Sequence, residues 1–160
     1  MQIDPRGPRF GAALTTVVLA VGLVTASAWV VGFQAVVFAL GAVLGLKAAP
    51  YGWLYRTLVR PRLGPPAELE DEAPPRFAQA VGLVFALVAT AGYAFGVPVL
   101  GTVATALALA AAFLNAAFGY CLGCEVYLLA RRVTGRSTKN IASPVSTTPA
   151  AEAASKEVSA

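Results

Sequence analysis

The chain is expected to fold as an all-α integral membrane four-helix bundle. Three observations predict this: 58% apolar residues beside only 12% charged ones, four long runs almost free of charge, and basic residues confined to the segments flanking them. The first run, 10–31, has no charged residue. The second, 33–46, reads on past Lys47 to position 53, and the third and fourth cover 77–95 and 97–124. At 1.5 Å per residue, about 20 helical residues cover the ~30 Å hydrocarbon core while satisfying their own backbone hydrogen bonds. Lys47, inside the second span on this reading, must snorkel to the interface.

The charges orient these spans. The turns expected near Val31 and Gly32, and near Phe95 and Gly96, carry no Lys or Arg, whereas all 12 basic residues lie towards the other side, in the termini and from Lys47 to Arg76. Basic residues near helix ends are retained on the cytoplasmic side. Both termini and the central loop are therefore expected to be cytoplasmic in a multi-pass protein of the cell membrane, and the net charge of +4 reflects this bias. No motif that reads RNA or DNA is present, so the lipid bilayer is the expected partner. Ala26-Ser27-Ala28 has the small-x-small form of a signal cleavage site. The run before it is longer than the about 7–15 residues of a signal peptide's apolar region, so it reads as a retained span.

An internal echo supports pairing the spans. Pro8-Arg9-Phe10 recurs as Pro75-Arg76-Phe77, 67 positions later, and the same offset carries Tyr51-Gly52-Trp53 onto Phe118-Gly119-Tyr120. It also sets Gly41 and Gly45 over Ala108 and Ala112, as matching helix contacts of two parallel repeats. The membrane domain is thus expected over 1–136, with hairpins at about 8–53 and 75–130 and a cytoplasmic loop at 54–74. The Ser/Thr/Ala-rich tail 137–160 lacks apolar periodicity and is expected to be disordered.

Segment 51–66, YGWLYRTLVRPRLGPP, combines aromatic anchors with arginines, as an interfacial stretch touching anionic lipid does, or as the stop signals of span two do. The acidic run 68–72 after it reads as a solvated stretch, with partner docking the sharper alternative. Within the spans the polar inventory is thin, chiefly threonines, Gln34 and Asn115. Threonines bond their own helix carbonyls, and Asn115 suits an interhelical hydrogen bond. Ion-coupled transport is disfavoured, since it needs ionisable groups near the bilayer centre.

One constellation can carry chemistry: Cys121-x-x-Cys124 followed by Glu125, in a chain with no histidine. Zinc prefers four Cys or His ligands, so a metal site would have to be shared between chains or recruit Glu125. A structural disulfide closing so small a loop in a reducing compartment adds little. Two small apolar side chains packing at an interface is the plain alternative. Redox or sulfur chemistry is favoured if the fourth helix breaks at Gly119 and restarts, because the thiols then meet unpaired first-turn N–H groups that stabilise thiolate. An unbroken helix would remove that advantage, leaving Glu125 to raise its neighbour's pKa.

The stretches IDPRGPRFGAALT, YGWLYRTLVRPRLGPPAELEDEAPPRFAQAVG and FLNAAFGYCLGCEVYLLARR together resemble a family of small, chiefly actinobacterial membrane proteins known as domain of unknown function 4395, over about residues 3–133. The resemblance implies no established reaction. Members often lie near genes for thioredoxin-like and sulfurtransferase proteins, which implies a thiol role for the cysteines. The leading expectation is a membrane partner in thiol-disulfide or sulfur transfer through the redox pair Cys121 and Cys124, with Glu125 as its modulator. The alternative is a non-catalytic scaffold or accessory subunit whose cysteines pack or bind shared zinc.

Overall fold

A computed structural model describes residues 2–64, 66 and 69–134. The tail 137–160, expected to be disordered, and Glu68 of the acidic run lie outside the described residues. The chain is all-α. A two-residue strand β1 (Gln2–Ile3) leads into helix α1 (Arg6–Thr25) and helix α2 (Ala28–Val43). A short helix α3 (Pro50–Leu54) follows, continued by a π-turn (Tyr55–Val59) and a 3-10 turn (Arg60–Arg62). Strand β2 (Glu70–Asp71) pairs antiparallel with β1 before helices α4 (Ala73–Ala94), α5 (Pro98–Phe118) and α6 (Leu122–Val133).

The first turn falls earlier than expected. Ala26 adopts a left-handed conformation with φ 46° and Ser27 is extended, so α1 ends at Thr25 and Val31 lies wholly buried inside α2. Hydropathy is blind to a reversal made of small residues, and the Ala26-Ser27-Ala28 signature is that reversal. Span two is corrected at its other end as well: it stops at Val43 rather than reaching position 53. Gly45 turns left-handed at φ 88°, and Pro50 holds Ala49 in the extended backbone that prolines impose on the residue before them. Lys47 therefore sits in a connecting loop and has no need to snorkel. The second charge-free turn lies where expected, with Gly96 at φ 75°.

α1, α4 and α5 are each long and apolar enough to cross a membrane, and α2, with 16 residues, is a shorter apolar helix. α2 packs on α4, α1 on α5, and α4 on α5. The core is small-residue packing around Val31, Ala35, Phe38, Ala86, Ala89 and Ala104. Large apolar side chains such as Trp29, Val84 and Val103 point outward instead, the inverse of a water-soluble bundle. Thr16, Thr25, Thr90 and Thr105 each donate to the carbonyl four residues back. Buried Gln34 joins the helices: its amide donates to Thr15 Oγ1 and its carbonyl accepts from the Tyr51 hydroxyl.

The offset of 67 reappears in burial. The buried residues of α5, Gly101, Ala104, Thr105 and Ala108, follow buried Gln34, Val37, Phe38 and Gly41 of α2 at that spacing. It fails at Gly45, which lies beyond α2 while Ala112 sits inside α5, so Gly41-x-x-x-Gly45 is not a continuous helix face.

One latch fastens the N-terminus. Buried Tyr55 donates its hydroxyl to Asp4 at 2.8 Å, beside the pairing of β1 with β2. Burial, then the Asp4 hydrogen bond and charge, push the Tyr55 hydroxyl up to about 12. Because the folded value exceeds the unfolded 10.0, this contribution is complete below pH 10 and is lost as pH rises towards about 12. Alkaline titration of tyrosinate absorbance should show one late component near pH 12 that Tyr55→Phe removes. An unchanged curve in that variant would contradict the latch.

Candidate functional site

The region around the cysteines is built by a helix break. α5 ends at Phe118 because Gly119 adopts φ 71°, its N–H closing back on the Asn115 carbonyl at 3.0 Å. Glycine takes this left-handed cap without a Cβ penalty. Asn115 contributes that carbonyl alone and makes no interhelical side-chain bond among the described residues, contrary to expectation.

The chain then restarts as α6 with Cys121 at its N-cap in extended conformation (φ −89°, ψ 96°). The Cys121 Sγ accepts the Cys124 N–H at 3.3 Å, and the Cys121 carbonyl accepts the Glu125 N–H at 3.1 Å. Cys121 and Cys124 are joined as a disulfide with Cα atoms 5.2 Å apart. Both are half-buried, whereas Glu125 is exposed on the first turn. Cys121 does not share a helix face with Cys124; it caps the helix that Cys124 belongs to.

α6 is amphipathic and folds back onto the start of α4. Gly123 lies against Ala78, where a Cβ would come within 2.7 Å of the Ala78 Cα, and the Tyr127 ring meets Phe77 at 5.6 Å. Arg131 lies 5.8 Å over the Tyr127 ring. The Arg9 guanidinium comes alongside Gly119, 3.5 Å from where a Cβ would stand. An exposed cation from α1 thus borders the break that leads to Cys121. No group of three or more His, Cys, Asp or Glu able to hold a metal ion gathers among the described residues.

Two features escaped the sequence. Glu72, read as part of a solvated run, is buried at 5% exposure and accepts the Leu46 N–H at 2.9 Å. Arg76 donates to the Ala42 and Val43 carbonyls, capping the end of α2 from the start of α4. The echoed Pro-Arg-Phe sites could have flagged Arg9 and Arg76, since both place a guanidinium in the first turn of a long helix beside the end of another.

No curated protein and no solved structure matches the chain. A family model described as a domain of unknown function (DUF4395) matches residues 3–132, which takes in all six helices except the last residue of α6. The chain belongs to the DUF4395 family.

Proposed function

We propose that this membrane protein is a multi-pass thiol-disulfide partner in which α1, α2, α4 and α5 cross the cell membrane and Cys121 and Cys124 exchange with a soluble cytoplasmic protein of thioredoxin-like or sulfurtransferase kind. The observation that carries the reading is the break at Gly119, which sets a bonded cysteine pair on the N-terminus of a separate amphipathic helix. Although α2 is short, α1 and α4 both run away from the end that bears Arg9 and Arg76, so α2 has to return the chain between them. The basic residues cluster at that one end, as cytoplasmic retention requires.

In the reduced pair, Cys121 is the partner-facing nucleophile. Its thiolate is favoured by the Cys124 N–H, by the other free first-turn amides of α6 and by the Arg9 charge, and is opposed by Glu125. The Cys121 thiolate attacks one sulfur of the partner's disulfide, expelling the other as a thiolate and leaving a mixed disulfide. Cys124, losing its proton to water, then attacks the Cys121 Sγ and expels the second partner thiolate. The pair is oxidised by two electrons, the partner's disulfide is reduced by two, and the protons pass through water to the partner. The reverse sequence reduces the pair.

Right-side-out and inverted membrane vesicles treated with a membrane-impermeant maleimide test both topology and chemistry. Both cysteines should label after dithiothreitol, in inverted vesicles only, and neither should label after mild oxidation. Cys121 alone, in Cys124→Ser, should label with an apparent pKa below the free thiol value of about 8.5. Thiols unreactive in every state, or labelled from the outside, would remove the proposal.

A further inference from the structure

A second constellation lies at the same end of the bundle, and the thiol reading makes no use of it. A cleft of about 270 Å³ opens between β1, the start of α1, the loop after α2, and α3 with its π-turn. Lys47, Arg56 and Arg60 line it. Arg56 donates one N–H to the Lys47 backbone carbonyl, which ties the loop to the π-turn. None of the three forms an ion pair among the described residues. Asp4, the acid on the wall, is already engaged, accepting from the Tyr55 hydroxyl and from the Arg6 N–H. The cleft therefore carries a net positive charge, with three cations to one engaged carboxylate in its lining.

The backbone of the cationic wall is unusual. Arg60 donates its N–H to the Tyr55 carbonyl, five residues back, and Pro61, which has no N–H, prevents an ordinary continuation of the helix. Such π-turns recur at functional sites. Ile3, Pro8, Val37 and Leu46 give the cleft an apolar floor beside these cations, and Trp53 of α3 is exposed, as aromatic anchors at a headgroup interface are. The volume lies just under the about 300–1,000 Å³ of small-molecule pockets, so it is too large for a lone inorganic ion and too small for a whole lipid.

We infer that this cleft binds a phosphate-bearing polar group of glycerophosphate size, held by Arg56 and Arg60 with Lys47 as a third cation and with its carbon skeleton on the apolar floor. Guanidinium forks match phosphate oxygens two at a time, which an ammonium cannot do. Two sources supply this chemistry: the headgroup of an anionic phospholipid in the adjoining leaflet, or a soluble phosphate ester.

The test uses the purified full chain in dodecyl maltoside, with dioleoyl phosphatidylglycerol, dioleoyl phosphatidylcholine, glycerol 3-phosphate and inorganic phosphate as separate probes. Thermal midpoint and lipid retention in native mass spectrometry are the readouts. Phosphatidylglycerol should be retained at least tenfold better than phosphatidylcholine and should raise the midpoint. The triple variant K47Q/R56Q/R60Q should lose that preference, and R131Q/R132Q, which removes two cations from α6, should keep it. R56K/R60K, which preserves charge and so tests the site even if the triple variant fails to fold, should weaken retention several-fold. Equal protection by glycerol 3-phosphate alone would assign the site to a soluble ester. Equal retention of the two lipids without protection by either soluble phosphate, or an equal loss in the α6 variant, would overturn the inference. So would unchanged retention in R56K/R60K. None of these outcomes bears on the cysteines, whose labelling is measured separately.

Discussion

Gly92→Ala should lower the stability of the bundle by about 1–3 kcal/mol, the range for forcing a methyl group into a filled contact, and Gly92→Leu should prevent the α4–α5 hairpin from closing. A Cβ at Gly92 would stand 2.5 Å from the Gly101 nitrogen and 2.9 Å from its Cα. Both atoms belong to the backbone of the facing helix, so no side-chain rotation relieves the collision. The neighbourhood is equally full from the other side, because a Cβ at Gly101 would fall 2.6 Å from the Tyr93 ring. This crossing lies next to the turn at Gly96, and α4 and α5 close there through a bond from the Val97 N–H to the Gly92 carbonyl. Gly32→Ala is the matched control, since its Cβ would meet the Thr90 methyl at an ordinary 3.6 Å. Reversible unfolding in mixed micelles measures both. A Gly92→Ala loss no larger than that of Gly32→Ala would show that the helices do not approach so closely.

How much of this was legible beforehand depended on what each residue answers to. The bilayer imposes a length and an apolarity that single residues cannot hide, so α1, α4 and α5 stood out, and so did the small residues that let them approach. The ends of α2 did not. Its start is a reversal at Ala26, which lacks both charge and the usual turn chemistry, and its end is a glycine that reads equally well as a packing residue. The Gly119 break was readable as a condition: glycine permits a left-handed cap, but whether the helix takes it depends on α6 finding a surface, and that surface is Ala78 on α4. The cationic cleft was not readable, because it gathers residues from β1, α1, α2, the loop at Lys47 and the π-turn, which only the fold brings together.

The echo at offset 67 is informative where it holds and where it stops. It aligns buried positions of α2 with those of α5, and Leu19 and Gly22 of α1 with Ala86 and Ala89 of α4, as a duplicated hairpin would. It stops after each second helix. Following α2 the chain breaks at Gly45 and forms α3 and the cationic π-turn, whereas α5 runs on to Gly119 and delivers the cysteine-capped α6. The two candidate sites thus follow α2 and α5, the two helices whose buried positions the offset aligns.

Glu72 and Gly45 should prove energetically coupled, because together they decide where α2 ends. Gly45→Ala meets two obstacles: its φ of 88° is a region where a Cβ costs about 1–2 kcal/mol, and that Cβ would stand 2.5 Å from the Glu72 Oε1. Glu72→Ala removes the acceptor of the Leu46 N–H, and leaving a part-buried donor unpaired costs about 1–3 kcal/mol. In the double variant the carboxylate is gone, so the alanine at position 45 keeps its backbone strain but loses the collision. The double variant should therefore be less destabilised than the sum of the singles, by on the order of 1 kcal/mol. Glu72→Gln, whose amide oxygen still accepts from Leu46, should lose less than Glu72→Ala, and combined with Gly45→Ala it should retain the collision. A thermodynamic cycle over these variants, read by the same micelle unfolding, checks both statements. Strict additivity would mean that the Glu72 carboxylate does not sit over Gly45, and that something other than this bond sets the end of α2.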